Sequence, residues 1–145
     1  MREIDLQQQV ADYIRLQYPS VIFHSDFGSG IKLTMGQAIK QKRLNGGRRA
    51  WPDLFIAEQS VRHEDVSDHE ICEWNYAGLM IELKREGTRI FKKDGKLVAD
   101  EHIREQFDML HDLRARGYAA EFACGFDEAK KLIDDYMKGR YAHAD

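Results

Sequence analysis

Two short apolar segments of this chain carry charges at positions where a buried strand normally has none. The segments are WPDLFIA (51–57) and GLMIELK (78–84), and the charges are those of Asp53, Glu82 and Lys84. Burying an unpaired charge costs several kcal/mol, so a chain with three such residues in its strands must compensate that cost. The fold therefore has to provide these side chains with an ion, a charged partner or access to water.

The length and composition favour one domain with its own core. The chain has 145 residues, of which 43% are hydrophobic and 32% charged, and its formal net charge is −3. We interpret residues 1–145 as a single domain. Two cysteines are too few for a disulfide framework, and no apolar run approaches the roughly 18 residues of a membrane-spanning helix. We expect a cytoplasmic protein (in the host cytoplasm if the chain is viral) without a membrane partner.

Apolar periodicity predicts helices that alternate with short strands. Helices are expected at about 3–17, 34–43 and 100–116 and in the last segment, where Asp127 is the candidate N-cap, and strands at 21–26, 53–57, 79–84 and 118–124. This order predicts an α/β protein with a mixed sheet flanked by helices.

Two neighbouring segments have opposite charge. Residues 27–52 contain no acid and six cations, which are Lys32, Lys40, Lys42, Arg43, Arg48 and Arg49. Residues 58–77 contain six acids and one arginine, and we interpret them as an acidic insertion that forms a solvated excursion or a hairpin. Since lysine and arginine contacts to phosphates dominate nucleic-acid affinity, the first segment indicates a DNA contact. A solvated basic loop is the alternative.

The charged positions of the two strands coincide with strand ends. Residues i and i+2 of a strand share a face, so Glu82 and Lys84 point the same way, and Asp53 opens its strand directly after Pro52. If the strands are neighbours, the carboxylates of Asp53 and Glu82 come close and repel unless a proton or a cation lies between them. Oxygen ligands of this kind suit Mg²⁺, with Mn²⁺ as a substitute. The alternative is an exposed edge strand on which Glu82 and Lys84 form an ion pair.

Pro52-Asp53 followed by Glu82-Leu83-Lys84 resembles the motif of the PD-(D/E)xK nuclease superfamily. The initial helix with its glutamate, the basic segment before Pro-Asp, the glutamine on the helix after Glu-x-Lys and the ending ARGYAAEFACGFDEAKKLIDDYM are similar to the VRR-NUC branch. The resemblance implies a restriction-endonuclease-like fold, in which a mixed central β-sheet is flanked by helices in an αβββαβ core with a C-terminal helix. The branch commonly has glycine two residues before the proline, where this chain has Ala50.

The resemblance also implies roles for single residues. Asp53 and Glu82 would bind the metal together with the backbone carbonyl of Leu83, and Lys84 would be the catalytic lysine. Gln106 matches the helix glutamine found near such sites, with a helix-surface glutamine as the alternative.

Two further residues are open between a role in the site and a structural role. Glu3 would complete the metal site through water, or would serve as an ordinary acid at a helix N-terminus. His24 would touch substrate or metal, or would be a partly buried structural histidine.

The function implied is a Mg²⁺-dependent DNA endonuclease that needs no small-molecule cofactor. We expect structure-selective action on branched or junction DNA rather than sequence-specific action, by a phage-type, homodimeric enzyme that hydrolyses phosphodiester bonds. A non-catalytic nucleic-acid-binding module with the same fold is the alternative, and an interaction protein that uses the acidic segment is a third.

Overall fold

The computed structural model describes residues 1–26, 32–67 and 70–144, and the side chains of 62–67 and 70–74 lie outside this description. Four helices and six strands are described. They are α1 (Glu3–Gln17), β1 (Phe23–Ser25), α2 (Met35–Leu44), β2 (Leu54–Ile56), β3 (Ser60–Ser67), β4 (Glu70–Tyr76), β5 (Leu79–Lys84), α3 (Glu101–Arg114), β6 (Ala119–Cys124) and α4 (Phe126–Met137). No helix in this described part of the chain is long and apolar enough to cross a membrane.

The main sheet has four strands in the order β1-β2-β5-β6. β1 and β2 are antiparallel, and so are β2 and β5, whereas β5 and β6 are parallel, so the sheet is mixed as predicted. β5 lies in the interior of this sheet and all six of its residues are buried. The alternative in which Glu82 and Lys84 pair on an exposed edge strand is therefore wrong.

Helices cover both faces of the sheet. On one face, Leu79, Ile81 and Leu83 of β5 pack in a cluster with apolar residues of α1 and α4, among them Val10 and Ile133. On the other face Met80 packs with Met109, Leu110 and Leu113 of α3. Because side chains alternate along a strand, Glu82 and Lys84 share the α3 face with Met80.

The acidic segment forms a second, two-stranded sheet of β3 and β4. In the main sheet Leu54 pairs with Ile81 and Ile56 with Leu79, so the β3–β4 hairpin leaves from the ends of β2 and β5 that lie opposite to Asp53 and Lys84. Its base is fixed to α4, because the Ser60 hydroxyl donates to the Tyr136 carbonyl at 2.6 Å.

The start of α4 differs from the prediction. The N-cap is Gly125, with φ of 86°, and Asp127 lies in the first turn of the helix, so the N-cap prediction for Asp127 is wrong. A Cβ at position 125 would lie 3.1 Å from the Glu86 Cβ. Glycine suits this position because it alone adopts the left-handed backbone without strain.

Candidate active site

Asp53 joins the ends of β2 and β5. Its side chain is buried, and its Oδ2 accepts a hydrogen bond from the Leu83 backbone N–H at 2.9 Å. Its own carbonyl accepts from the Asp26 N–H at 2.8 Å, which continues the pairing with the end of β1. One more step of the β2–β5 register sets Asp53 opposite Glu82. The two carboxylates are therefore cross-strand neighbours on the α3 face.

A side chain of α3 holds the Glu82 carboxylate in place. Gln106 Nε2 donates to Glu82 Oε1 at 2.7 Å, and both side chains are buried. Gln106 is thus not a helix-surface glutamine. The same Nε2 lies 3.1 Å from Nε2 of His102, one helical turn earlier. Because the amide NH₂ of Gln106 can only donate, this contact is a hydrogen bond in the tautomer that leaves Nε2 of His102 without a proton, and it then orients the Gln106 amide.

The surroundings of the Glu82 carboxyl disfavour its charged form. Burial raises its pKa well above the ordinary value, and the charge of the neighbouring Asp53 raises it further. Among the described residues, Glu82 Oε2 and Gln106 Oε1 are buried without a hydrogen-bond partner. A buried acceptor that lacks a donor is costly, and in native proteins it often marks the place of a water or an ion.

Lys84 brings a positive charge to Glu82. Its side chain is buried, and its charge lowers the pKa of Glu82, against the larger opposing effects. The Lys84 carbonyl accepts from the Gly125 N–H at 2.8 Å. This bond fixes the end of β5 to the turn that begins α4.

A cleft of about 620 Å³ opens over these residues. Its walls come from the site, from α2 with the segment after it, and from the N-terminus of α1; they include Glu3, Asp26, Ile39, Lys42, Arg48, Arg49, Trp51, Asp53, Glu82, Lys84, His102 and Gln106. Glu3 is near enough for its charge to raise the pKa of Glu82. It also lies in the first turn of α1, as expected of an acid at a helix N-terminus, and its role in a metal site stays a prediction.

The basic segment contributes one wall of the cleft. Of its six cations, Lys42, Arg48 and Arg49 line the cleft, whereas Lys32, Lys40 and Arg43 are exposed outside it. Arg48 Nη2 pairs with Asp112 Oδ2 of α3 at 3.0 Å, which ties this wall to α3. The Gly28 and Gly30 positions, where we expect backbone N–H groups to approach a phosphate, lie outside the described residues.

Ala50 has an unusual backbone conformation. Its φ is 61°, in the left-handed region that favours glycine. The alanine therefore adopts this conformation at a cost in backbone strain, two residues before Pro52.

The donor atoms fit a hard divalent cation. Across the described residues, no three His, Cys, Asp or Glu side chains are grouped so as to hold a metal ion. A cation here would rest on two carboxylates and the Leu83 carbonyl, with water in the remaining positions. Mg²⁺ is commonly bound in this way, through one or two carboxylates and several waters. The partnerless Glu82 Oε2 supports the fit.

Sequence reasoning missed His102 and gave no role to Asp26, although both line the cleft. The signal for His102 is its spacing, since residues i and i+4 of a helix are neighbours and Gln106 was already a candidate. His24 is exposed on β1 and is not among the described residues that line the cleft. The structure thus does not bring His24 to the site, and it is not the partly buried histidine of the alternative.

Comparison with known proteins supports the fold. No family model matches the sequence, and no curated protein does. A solved structure named VRR_NUC domain protein matches with a TM-score of 0.60 and 22% identity, over 95% of this chain and 89% of the other. At this identity the likeness establishes the fold, and the predicted restriction-endonuclease-like architecture is confirmed.

Proposed function

We propose that this chain, which has the VRR-NUC fold, is a Mg²⁺-dependent endonuclease that hydrolyses phosphodiester bonds of DNA. The observation that carries the proposal is the buried pair of Asp53 and Glu82 beneath a cleft with cationic walls. Burying the two carboxylates costs the protein free energy when no ligand is bound. A divalent cation would balance their negative charges, and a phosphate substrate would balance the positive charge of Lys84.

Asp53, Glu82 and the Leu83 carbonyl would hold the cation. When bound, Mg²⁺ supplies Lewis-acid stabilisation of charge on a phosphate oxygen and lowers the pKa of a bound water. The Asp53–Leu83 hydrogen bond keeps one carboxylate in register with the strand that carries the other. Gln106 keeps Oε1 of Glu82 occupied, so that Oε2 is the oxygen left for the ion.

Lys84 would act on the substrate. It lies on the same face as Glu82, at the end of β5, and lines the cleft. Its ammonium group would orient the attacking water and stabilise the negative charge that develops on the phosphate in the transition state. Lysine suits this role because it is a compact charge with three donors.

The nucleic-acid part of the proposal rests on charge. Lys42, Arg48 and Arg49 line the cleft that contains the carboxylate pair, and phosphate contacts of this kind bind DNA without reading its sequence. The described elements include no motif that reads base edges in a groove, so we propose selection of branched or junction DNA by its shape. A homodimer would place two such sites on one branched substrate.

The test is cleavage of a supercoiled plasmid and of a synthetic four-way junction, with Mg²⁺, with Mn²⁺ and with EDTA. We expect cleavage with either metal and none with EDTA. Lys84→Ala should lower the rate about 100- to 1,000-fold and leave DNA binding in place. Lys138→Ala is the matched control, because this exposed lysine lies outside the cleft lining.

Binding of DNA without cleavage in either metal would favour the non-catalytic module instead. Cleavage that Lys84→Ala leaves unchanged would place the chemistry elsewhere.

A further inference from the structure

Trp51 stands at the rim of the candidate active site. Its side chain is 48% exposed and lines the cleft, whereas Asp53, two residues later, is buried. The chain therefore passes from solvent to the carboxylate pair within two residues, and the indole lies beside the place where a scissile phosphate would bind.

The indole of Trp51 has no ring or hydrogen-bond partner in the described part of the chain. No aromatic ring or cation described there stacks on Trp51, and no hydrogen bond from its indole N–H is found among those residues. A large aromatic surface and a donor are thus both available at the cleft. Phe91 offers a contrast, because it is also 48% exposed but packs edge-on against Phe107 with ring centroids 6.1 Å apart.

α2 adds apolar side chains to the lining of the same cleft. α2 buries none of its residues, and Met35 and Ile39, one turn apart, are 82% and 65% exposed while lining the cleft. The helix is nonetheless well formed, since Thr34 and Gln37 make a capping box at its start. The aromatic side chain of Trp51 and the apolar side chains of Met35 and Ile39 therefore line the cleft that contains the carboxylate pair.

The charge around these apolar side chains limits what can occupy the cleft. Between residues 27 and 52 the sequence has six cations and no acid. Apolar and aromatic side chains among cations are the usual surface for single-stranded nucleic acid, in which phosphates meet the cations and base faces meet the rings. Duplex DNA does not offer base faces, because its bases are stacked inside the helix.

We propose that Trp51 stacks on an unpaired base next to the scissile phosphate, and that Met35 and Ile39 contact the bases that follow. Trp51 then sets the specificity of the site for strands with unpaired bases. The position of the base relative to the phosphate rests on the proposed nuclease function, but the stacking itself does not.

A second copy of this chain is the other candidate occupant, and charge disfavours it. A two-fold contact places the same patch of both copies against each other. Lys42 and Arg49 of the cleft lining would then face their own equivalents, whereas Arg48 keeps Asp112 as its partner, and like charges across an interface cost several kcal/mol.

The experiment measures binding in EDTA, so that cleavage plays no part. Trp74→Phe leaves Trp51 as the one tryptophan. In this background we expect the fluorescence of Trp51 to be quenched by single-stranded oligothymidylate of about 12 nucleotides and unchanged by a blunt duplex of that length. Trp51→Ala should weaken single-strand binding about 5- to 150-fold. Phe91→Ala, an equally exposed aromatic outside the cleft, should leave it unchanged.

Trp51→Phe and Trp51→Leu separate stacking from packing. The Phe variant should retain more affinity than the Leu variant, because it keeps a ring, and both keep apolar volume at the rim. Equal affinities for all three Trp51 variants and the parent protein would overturn the proposal, as would equal quenching by duplex DNA. A change in sedimentation mass on Trp51→Ala would show that the indole is a contact between copies, which also overturns it.

The outcome is separable from that of the nuclease proposal. Quenching by single strands in a protein that cuts nothing would support the stacking and contradict the nuclease. Cleavage by a protein in which single strands do not quench Trp51 would support the nuclease and contradict the stacking.

Discussion

Two largely buried carboxylates of this protein have opposite environments. Asp134 of α4 accepts hydrogen bonds from the Tyr13 and Tyr18 hydroxyls at 2.5 and 2.6 Å and from Lys130 at 2.9 Å. Burial opposes its ionisation, but these donors outweigh burial and lower its pKa to about 2. Glu82, in contrast, has a second acid as its neighbour, and its pKa is raised.

The difference separates a carboxylate that holds the fold together from one that is available for binding. Asp134 joins α1 to α4 and has its acceptor capacity filled by the protein. Glu82 keeps Oε2 without a partner at the edge of a cleft. Perturbed groups in clefts are candidates for function, because the protein tolerates their cost where a ligand offsets it.

The largest expected effect distinguishes the two residues by activity. Glu82→Gln should lower DNA cleavage about 100- to 1,000-fold or more, because it removes a proposed metal ligand at constant shape. Asp134→Asn, with the same change of chemistry, should cleave at the parental rate. Initial rates with Mg²⁺ on a supercoiled plasmid measure both. Similar losses in the two variants would break the comparison.

The second effect concerns stability, for which Asp134 is the important residue. Asp134→Ala should lower the free energy of unfolding by about 2–4 kcal/mol, because two tyrosine hydroxyls and Lys130 lose their acceptor. Asp135→Ala, the adjacent residue with surface ion pairs to Lys131 and Arg140, should cost less than about 1 kcal/mol. Urea unfolding of the three proteins is the measurement, and equal losses would contradict the structural role of Asp134.

The third effect is a difference in pH dependence, measured by urea unfolding in EDTA between about pH 2 and pH 8. The pKa of Asp134 is lowered from 3.8 to about 2. Its contribution, about 2 kcal/mol, is therefore present above pH 3.8 and lost as the pH falls through about 2. The pKa of Glu82 is raised from 4.5, so its contribution is present below 4.5 and lost as the pH rises through the folded value.

Each variant should remove one part of the pH dependence of the free energy of unfolding. Asp134→Asn should remove the loss of unfolding free energy at acidic pH. Glu82→Gln should remove the loss above pH 4.5, and there the variant should be more stable than the parent by about 0.5–2 kcal/mol. If Glu82→Gln were less stable than the parent at pH 7 in EDTA, the charge of Glu82 beside Asp53 would not destabilise the fold.

The fourth effect is stabilisation by the metal. Mg²⁺ at ten times its dissociation constant should add about 1.4 kcal/mol to the parent protein and to Asp134→Asn, and nothing to Glu82→Gln. Thermal unfolding with Mg²⁺ and with EDTA measures the shift. An equal shift in all three proteins would mean that the ion binds away from Glu82.

The smallest effect concerns the strain next to the site. Ala50 has φ of 61°, and Ala50→Gly should raise the free energy of unfolding by about 0.5–1 kcal/mol, since glycine adopts this conformation without a steric cost but is freer in the unfolded chain. Ala38→Gly in the exposed helix α2 is the control, and it should destabilise by about 1 kcal/mol. A loss of stability in Ala50→Gly would show that no strain is stored there.

The sequence predicts the parts of the fold that depend on local periodicity. α1 spans 3–17 and β5 spans 79–84, as expected, because a helical stripe and a run of β-prone apolar residues each determine their own element. The expectation that Asp53 and Glu82 meet follows from strand geometry once the strands are neighbours. Their catalytic and metal-binding roles, with those of Lys84 and Gln106, stay predictions.

What the sequence does not predict depends on contacts between distant elements. The Asp127 N-cap was wrong because Gly125 adopts the left-handed conformation in a tight turn against Glu86. The orientation of Gln106 by His102, and the burial that raises the Glu82 pKa, appear only when α3 is packed on the sheet. Residue type and spacing indicate such groups but not their surroundings.

The β3–β4 hairpin has a consequence for how the molecule meets a polyanion. It carries most of the acidic segment and leaves from strand ends opposite to those that bear the cleft, whose wall holds the basic segment. The segment with six acids and the segment with six cations therefore join the main sheet at opposite ends of β2, which the net charge of −3 conceals. If the proposed DNA substrate binds, this separation of charge would turn the cationic segment toward the phosphates before contact.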